Sequence, residues 1–89
     1  MQINHISKAR YQGQNNDTLN HIQAKNGYQS NEWVTYLQAK TIGLFVKSGE
    51  KGTKIFKLIE DENSKGRYAI RTYVVFNIDQ TIKVNVYAI

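Results

Sequence analysis

The second half of the chain alternates apolar and polar residues, and the first half does not. From Arg67 to Ile78 the even positions (Tyr68, Ile70, Thr72, Val74, Phe76, Ile78) are mostly apolar, while the odd ones include Arg71, Tyr73 and Asn77. A period of two predicts a strand with its even set on the core and its odd set facing water. Shorter strands are predicted at Leu44–Lys47, at Thr53–Glu60 and at Thr81–Tyr87, the last with Ile82, Val84 and Val86 inward. The glycine-rich, charged stretches Ser48–Gly52 and Asp61–Gly66 read as turns between them.

Upstream the spacing is helical. Asp17–Asn26 predicts a short helix, with Asn16 or Asp17 as its cap, Leu19 and Ile22 on one face and Gly27 at its end. A second helix is predicted over Trp33–Ile42, capped by Ser30 or Asn31, with Glu32 at the positive end of its dipole. Trp33, Val34, Leu37 and Thr41 mark its apolar face, and Gly43 stops it. Residues 1–15 show no period and read as an extended arm. The order predicts an α+β domain with two short helices packed on one face of an antiparallel sheet of three to four strands.

Composition narrows this picture. Eighty-nine residues without Cys or Pro bury one small core and exclude disulfides, thiolate catalysis and Cys-ligated zinc. No apolar run approaches the ~20 residues of a membrane span. The opening Met1-Gln2-Ile3-Asn4-His5 lacks a signal-peptide layout, so the expected compartment is the cytoplasm. The net charge of +5 falls within residues 1–58, through Lys8, Arg10, Lys25, Lys40, Lys47, Lys51, Lys54 and Lys57 against Asp17, Glu32 and Glu50. The remainder is balanced. Such a field attracts phosphate, and the abundant Asn and Gln side chains suit sugars and base edges.

Catalytic patterns are missing. His5 and His21 lie in different predicted elements and lack His-Glu-x-x-His spacing. The Glu60-Asp61-Glu62 cluster sits in a predicted solvated turn, and Lys47–Gly52 departs from the phosphate-loop pattern and precedes a strand. The chain is therefore expected to be non-enzymatic and to use no metal or cofactor. Single-strand nucleic-acid binders combine cations with aromatic stacking faces. Arg71 and Tyr73 on the long strand, Lys47, Lys51, Lys54 and Lys57 in the turn and next strand, and Lys8, Arg10 and Tyr11 in the arm offer that combination. Tyr73 either pads the strand or presents such a face.

Four blocks then carry a resemblance. They are Tyr11-Gln-Gly-Gln-Asn15, the stretch Trp33-Val-Thr35-Tyr-Leu-Gln38-Ala39, the stretch Gly43-Leu-Phe-Val46-Lys47-Ser-Gly49-Glu50-Lys51-Gly52-Thr53, and Tyr73-Val-Val-Phe76-Asn77-Ile-Asp-Gln80. In this order they resemble the N-terminal single-stranded-DNA-binding domain of the ArdC antirestriction protein family, which is carried by mobile genetic elements. In its full-length members this domain precedes a zinc metallopeptidase domain. That half has no counterpart here, so proteolysis is not implied and a free-standing domain over residues 1–89 is expected (arm 1–15, matched core 16–80, C-terminal strand 81–89). Leu44 replaces a usual Gly and Ser48 a usual Lys.

The resemblance implies single-stranded DNA as ligand. Phosphates would meet Lys8, Arg10, Lys47, Lys51, Lys54 and Arg71, and bases would stack on Tyr11 or Tyr73. Asn15, Gln38 and Asn77 either bond a turn or bond DNA. Small size suggests an accessory protein of replication, partnering a larger polymerase, primase or helicase. The alternatives are a protein-interaction subunit with little DNA affinity, or an antirestriction factor.

Overall fold

A computed structural model describes residues 1–63 and 65–84. The elements run β1 (Ile3–Asn4), α1 (Gly13–Asn26), β2 (Glu32–Thr35), α2 (Tyr36–Thr41), β3 (Leu44–Val46), β4 (Thr53–Glu60), β5 (Tyr68–Asn77), a 3-10 turn (Ile78–Gln80) and β6 (Thr81–Lys83). The main sheet has the order β1-β2-β5-β4, and β3 pairs with β6 in a separate ribbon. The α+β class is as expected. The main sheet, however, is mixed, because β1 runs parallel to β2 while β2, β5 and β4 are antiparallel.

That difference arises in the segment expected to be an extended arm, residues 1–15. The Gln2 backbone N–H donates to Asn16 Oδ1 at 2.9 Å, and Ile3 N–H donates to Asn31 O at 3.0 Å. Asn16 is thereby used as an anchor for the strand instead of a helix cap, and α1 begins earlier, at Gly13. At its other end Gly27 adopts φ 68°, with Gly27 N–H bonded to Ala24 O and Tyr28 N–H to Gln23 O. This paired closure needs a left-handed residue, which glycine supplies without a Cβ clash.

The predicted second helix starts too early. Trp33 and Val34 belong to β2, and Thr35 is the cap of α2: its hydroxyl accepts from Gln38 N–H while Gln38 Oε1 accepts from Thr35 N–H. Aromatic and β-branched residues in succession favour a strand. Both Trp33 and Val34 are fully buried, so β2 is covered on both faces. Leu37, expected in the core, is exposed.

The core joins Leu19 of α1 to Trp33, Ile55 and Val75 of the sheet, with Tyr11, Ile22, Tyr28 and Tyr73 packed around it. Its placement reverses the expected phase of β5. Tyr73, Val75 and Asn77 point to the α1 side, whereas Tyr68 and Ile70 are 62% and 68% exposed. A shift of one residue exchanges the two faces of a strand. Gly52 acts by close approach to the other face, since a Cβ there would meet Val74 Cγ1 and lie 3.0 Å from Phe76 Cζ. In β6, Ile82 is exposed, as is Val84 after it, contrary to the inward expectation. The parts of that prediction at Asn85, Val86 and Tyr87, and the apolar tail to Ile89, lie outside the described residues.

Candidate nucleic-acid interface

The turn between β1 and α1 is built around Asn4. Asn4 Oδ1 accepts from the backbone N–H groups of Ile6 and Ser7 at 2.9 and 3.0 Å, and Asn4 O accepts from Lys8 N–H at 2.9 Å. These bonds hold Lys8 at φ 60°, an uncommon conformation for a residue with a side chain. Lys8 Nζ and His5 Nδ1 lie 2.6 and 3.0 Å from Glu32 Oε1. Their hydrogen bonds, Lys8 first, keep the Glu32 carboxyl below its usual range. Lys8 is thus the charged strut that ties the turn to β2.

The turn delivers Arg10 and Tyr11 to a cavity of about 400 Å³, whose walls also include Asn15, Gln38, Lys57 and Tyr73. Burial raises the Tyr11 hydroxyl pKa, and a weaker hydrogen bond from Asn4 opposes that rise. Asn15 Nδ2 donates to Phe56 O at 2.6 Å and Asn15 Oδ1 accepts from Phe56 N–H at 3.0 Å, clasping α1 to the edge of β4. Gln38 caps α2. Among the described residues no carboxylate lines the cavity.

On the same sheet face Ile55 faces Tyr73 and, further out, Lys57 faces Arg71 in register. Like charges directly opposite across a ladder repel. Among the described residues neither cation is within 4.0 Å of a carboxylate. Aromatic rings therefore lead outward into two unpaired cations. Arg71 also borders another cavity, of about 360 Å³, with Glu60, Asp61 and Glu62 at the end of the hairpin.

The other candidates fall elsewhere. Lys54 faces Val74 on the opposite side of the hairpin. Lys51 lines a separate cavity with Lys25, Tyr28 and Glu50. Lys47 Nζ donates to Asp79 O at 3.0 Å. Glu50 accepts from Gln80 Nε2 at 3.1 Å. Asn77 is fully buried, donating to Ser30 O at 2.8 Å and accepting from Asp79 N–H at 2.8 Å. Arg10, Tyr11, Asn15, Gln38 and Tyr73 thus share the cavity beside the β1 turn, with Arg71 just beyond it. Lys57 joins them, although the resemblance does not single it out as a phosphate ligand. Counting back from the expected turn Asp61–Gly66 sets Lys57 opposite Ile70; the observed turn is one residue longer, with Asp61 N–H bonded to Arg67 O, and sets it opposite Arg71, so the sequence carried no signal for this pairing. Among the described residues no three His, Cys, Asp or Glu side chains gather as a metal site requires, and no helix is long and apolar enough to cross a membrane.

Comparison with known proteins adds a relationship. A family model described as the N-terminal domain of anti-restriction factor ArdC matches residues 1–81. The chain is similar to the Mn(II)-bound crystal structure of the antirestriction ArdC protein from the R388 plasmid, with TM-score 0.83 and 34% identity over 98% of this chain and 36% of that one. The metal-free structure of the same protein gives TM-score 0.79 and 35% identity over 97% and 34%. The chain therefore spans about a third of the length of these relatives. No curated protein matches it.

Proposed function

Because the chain belongs to the family of ArdC N-terminal domains, we propose that it is a non-catalytic single-stranded-DNA-binding module whose binding face is the Arg10–Tyr11–Tyr73–Lys57–Arg71 surface. The observation that carries this reading is the unpaired Lys57/Arg71 pair beside two half-buried tyrosines. A phosphate placed between the two cations removes their repulsion, and flanking aromatic faces stack bases at about 1–3 kcal/mol each. Arg10 extends the positive track on the far side of the cavity. Nothing in this arrangement requires a catalytic group.

Fluorescence anisotropy with labelled oligonucleotides at two salt concentrations tests the reading. Affinity for single strands should fall steeply with salt. The Lys57→Ala/Arg71→Ala variant should flatten that slope by about 0.7 for each phosphate it no longer neutralises. Equal weak binding to single and double strands would overturn the reading.

In a cell such a module serves either antirestriction, which fits the family's name, or an accessory role in replication of a mobile element. For the second, one observation favours a protein partner such as a polymerase, primase or helicase: the back of the hairpin exposes Phe56, Leu58 and Ile70 together. Leu58→Ser should then remove a co-purifying partner while sparing DNA binding. A plasmid-transfer assay against a restricting host separates the antirestriction role, which predicts transfer efficiency lowered by loss of the chain.

A further inference from the structure

Strand β4 ends the main sheet on one side, and its outer backbone is only partly used. Phe56 turns its N–H and C=O outward, where Asn15 takes both, at 3.0 and 2.6 Å. In an antiparallel ladder, outward-facing residues alternate with those bonded to the neighbouring strand. Leu58 and Glu60 therefore turn outward as well, while Ile55, Lys57 and Ile59 bond β5. Asp61 keeps this phase, since its N–H donates to Arg67 O at 2.8 Å. Among the described residues the N–H and C=O groups of Leu58 and Glu60 have no partner, and both side chains are exposed. Two open rungs remain beyond the one that Asn15 closes.

The strand that fits these rungs is β4 of a second copy. Across a two-fold axis, residue i faces residue j and j faces i. Antiparallel edges then meet centred on Leu58, on Ile59 or on Glu60, because only outward-facing residues exchange hydrogen bonds. Centring on Leu58 needs the Phe56 rung, which Asn15 holds. Centring on Glu60 sets two carboxylates face to face, and they repel. Centring on Ile59 uses both open rungs, with each Leu58 facing Glu60 of the other copy.

That register is also complementary in charge. It sets Ile59 opposite Ile59 and Lys57 opposite Asp61 of the other copy, on the sheet face that carries Arg71. Asp61 Oδ1 accepts from Asn63 N–H at 3.0 Å, which leaves its second oxygen for the lysine. The repulsion between Lys57 and Arg71 is then offset by a carboxylate from the other chain. Pairing stops where it has to. Phe56 faces Glu62 of the other copy, and there that chain has left β4 for the hairpin turn.

We propose that β4 is a self-pairing edge, through which two copies join antiparallel across Leu58 and Glu60 about an axis at Ile59. The contact is small, so monomer and dimer exchange with protein concentration. It involves no ligand and is independent of DNA binding.

Single cysteines report the register, because the chain has no Cys of its own. In a non-hydrogen-bonded antiparallel pair the Cα atoms lie about 4.5 Å apart, within the range of about 4.4–6.8 Å that a disulfide spans. With oxidised glutathione as oxidant, Ile59→Cys should link to itself. Leu58→Cys and Glu60→Cys should each stay monomeric alone and link to one another when mixed. Sedimentation equilibrium without DNA should show a reversible wild-type dimer. Leu58→Pro, which removes an outward N–H that the fold does not use, should abolish it. Asp61→Lys should weaken the dimer about tenfold, since both symmetry-related pairs turn repulsive, and adding Lys57→Asp should restore it. A wild-type chain that stays monomeric at its highest soluble concentration would overturn the pairing. So would Leu58→Cys linking to itself as readily as Ile59→Cys, or a dimer that survives Leu58→Pro, which would move the contact to another surface such as the apolar back of the hairpin.

Discussion

Between Tyr73 and Asn77, β5 passes from β4, with which it pairs as far as Val75, to β2, with which it pairs from Val75 onward, with Leu19 of α1 packed on it and Val75 and Asn77 buried. Between Tyr68 and Thr72 the same strand has β4 as its only neighbour in the sheet, and all five residues are exposed. The backbone ladder is continuous through both halves; the covering layer is not. A two-stranded ribbon in water is marginal by itself, so the outer half owes its order to the inner one. Freed from packing, its two faces diverge in chemistry. Lys57 and Arg71 stand on one, and Phe56, Leu58, Ile70 and Tyr68 on the other. The covered half makes the fold, and the uncovered half is open to a ligand.

Substitutions should break this contrast in proportion to cover. The largest effect is expected for Trp33→Ala, which removes a fully buried ring and its 2.6 Å bond to Gln2 Oε1. A loss of about 3–5 kcal/mol is expected, close to the whole stability of a small domain, and urea denaturation measures it. Asn77→Ala, at the inner end of β5, should cost about 1–3 kcal/mol by leaving Ser30 O and Asp79 N–H without their partner. Thermal unfolding reads that change.

Glu32→Gln probes the strut on the β1 turn. The native Glu32 carboxyl titrates below its ordinary value of 4.5, so its ionised form stabilises the fold above that value, and the contribution fades as pH falls through the lower native value. The variant should therefore unfold slightly earlier than wild type at neutral pH and match it at about pH 2, with a difference below ~1 kcal/mol. The smallest effect is expected for Leu58→Ala on the outer hairpin, within about 0.5 kcal/mol despite its apolar side chain. A cost above that range would mean that the outer half is covered after all.

The same contrast explains what the sequence disclosed. Thr53–Glu60 and the long strand after it were legible because alternation and flanking turns agree. The facing of β5 was not, because both its odd and even sets contain large apolar residues and period alone carries no sign. Trp33 and Val34 misled for a related reason: β2 is covered on both faces, so two adjacent apolar residues imitate a helical stripe. Strand β1 left no periodic trace, since two residues are too few to show one, and its parallel pairing depends on Asn16 and Asn31. The site was half visible. Arg10, Tyr11 and Tyr73 were identifiable by residue type, but that Asn15 and Gln38 would have their oxygens consumed by backbone N–H groups is a property of three-dimensional neighbours.

Asn15 has one more consequence. β4 is the outermost strand of its sheet, and Phe56 turns both its N–H and its C=O toward that open side. There the Asn15 amide imitates the peptide group of a neighbouring strand that does not exist. An incoming chain seeking to extend the sheet finds that rung already filled and meets a helix blocking its path. One short side chain thereby closes the Phe56 rung of the β4 edge to a fifth strand.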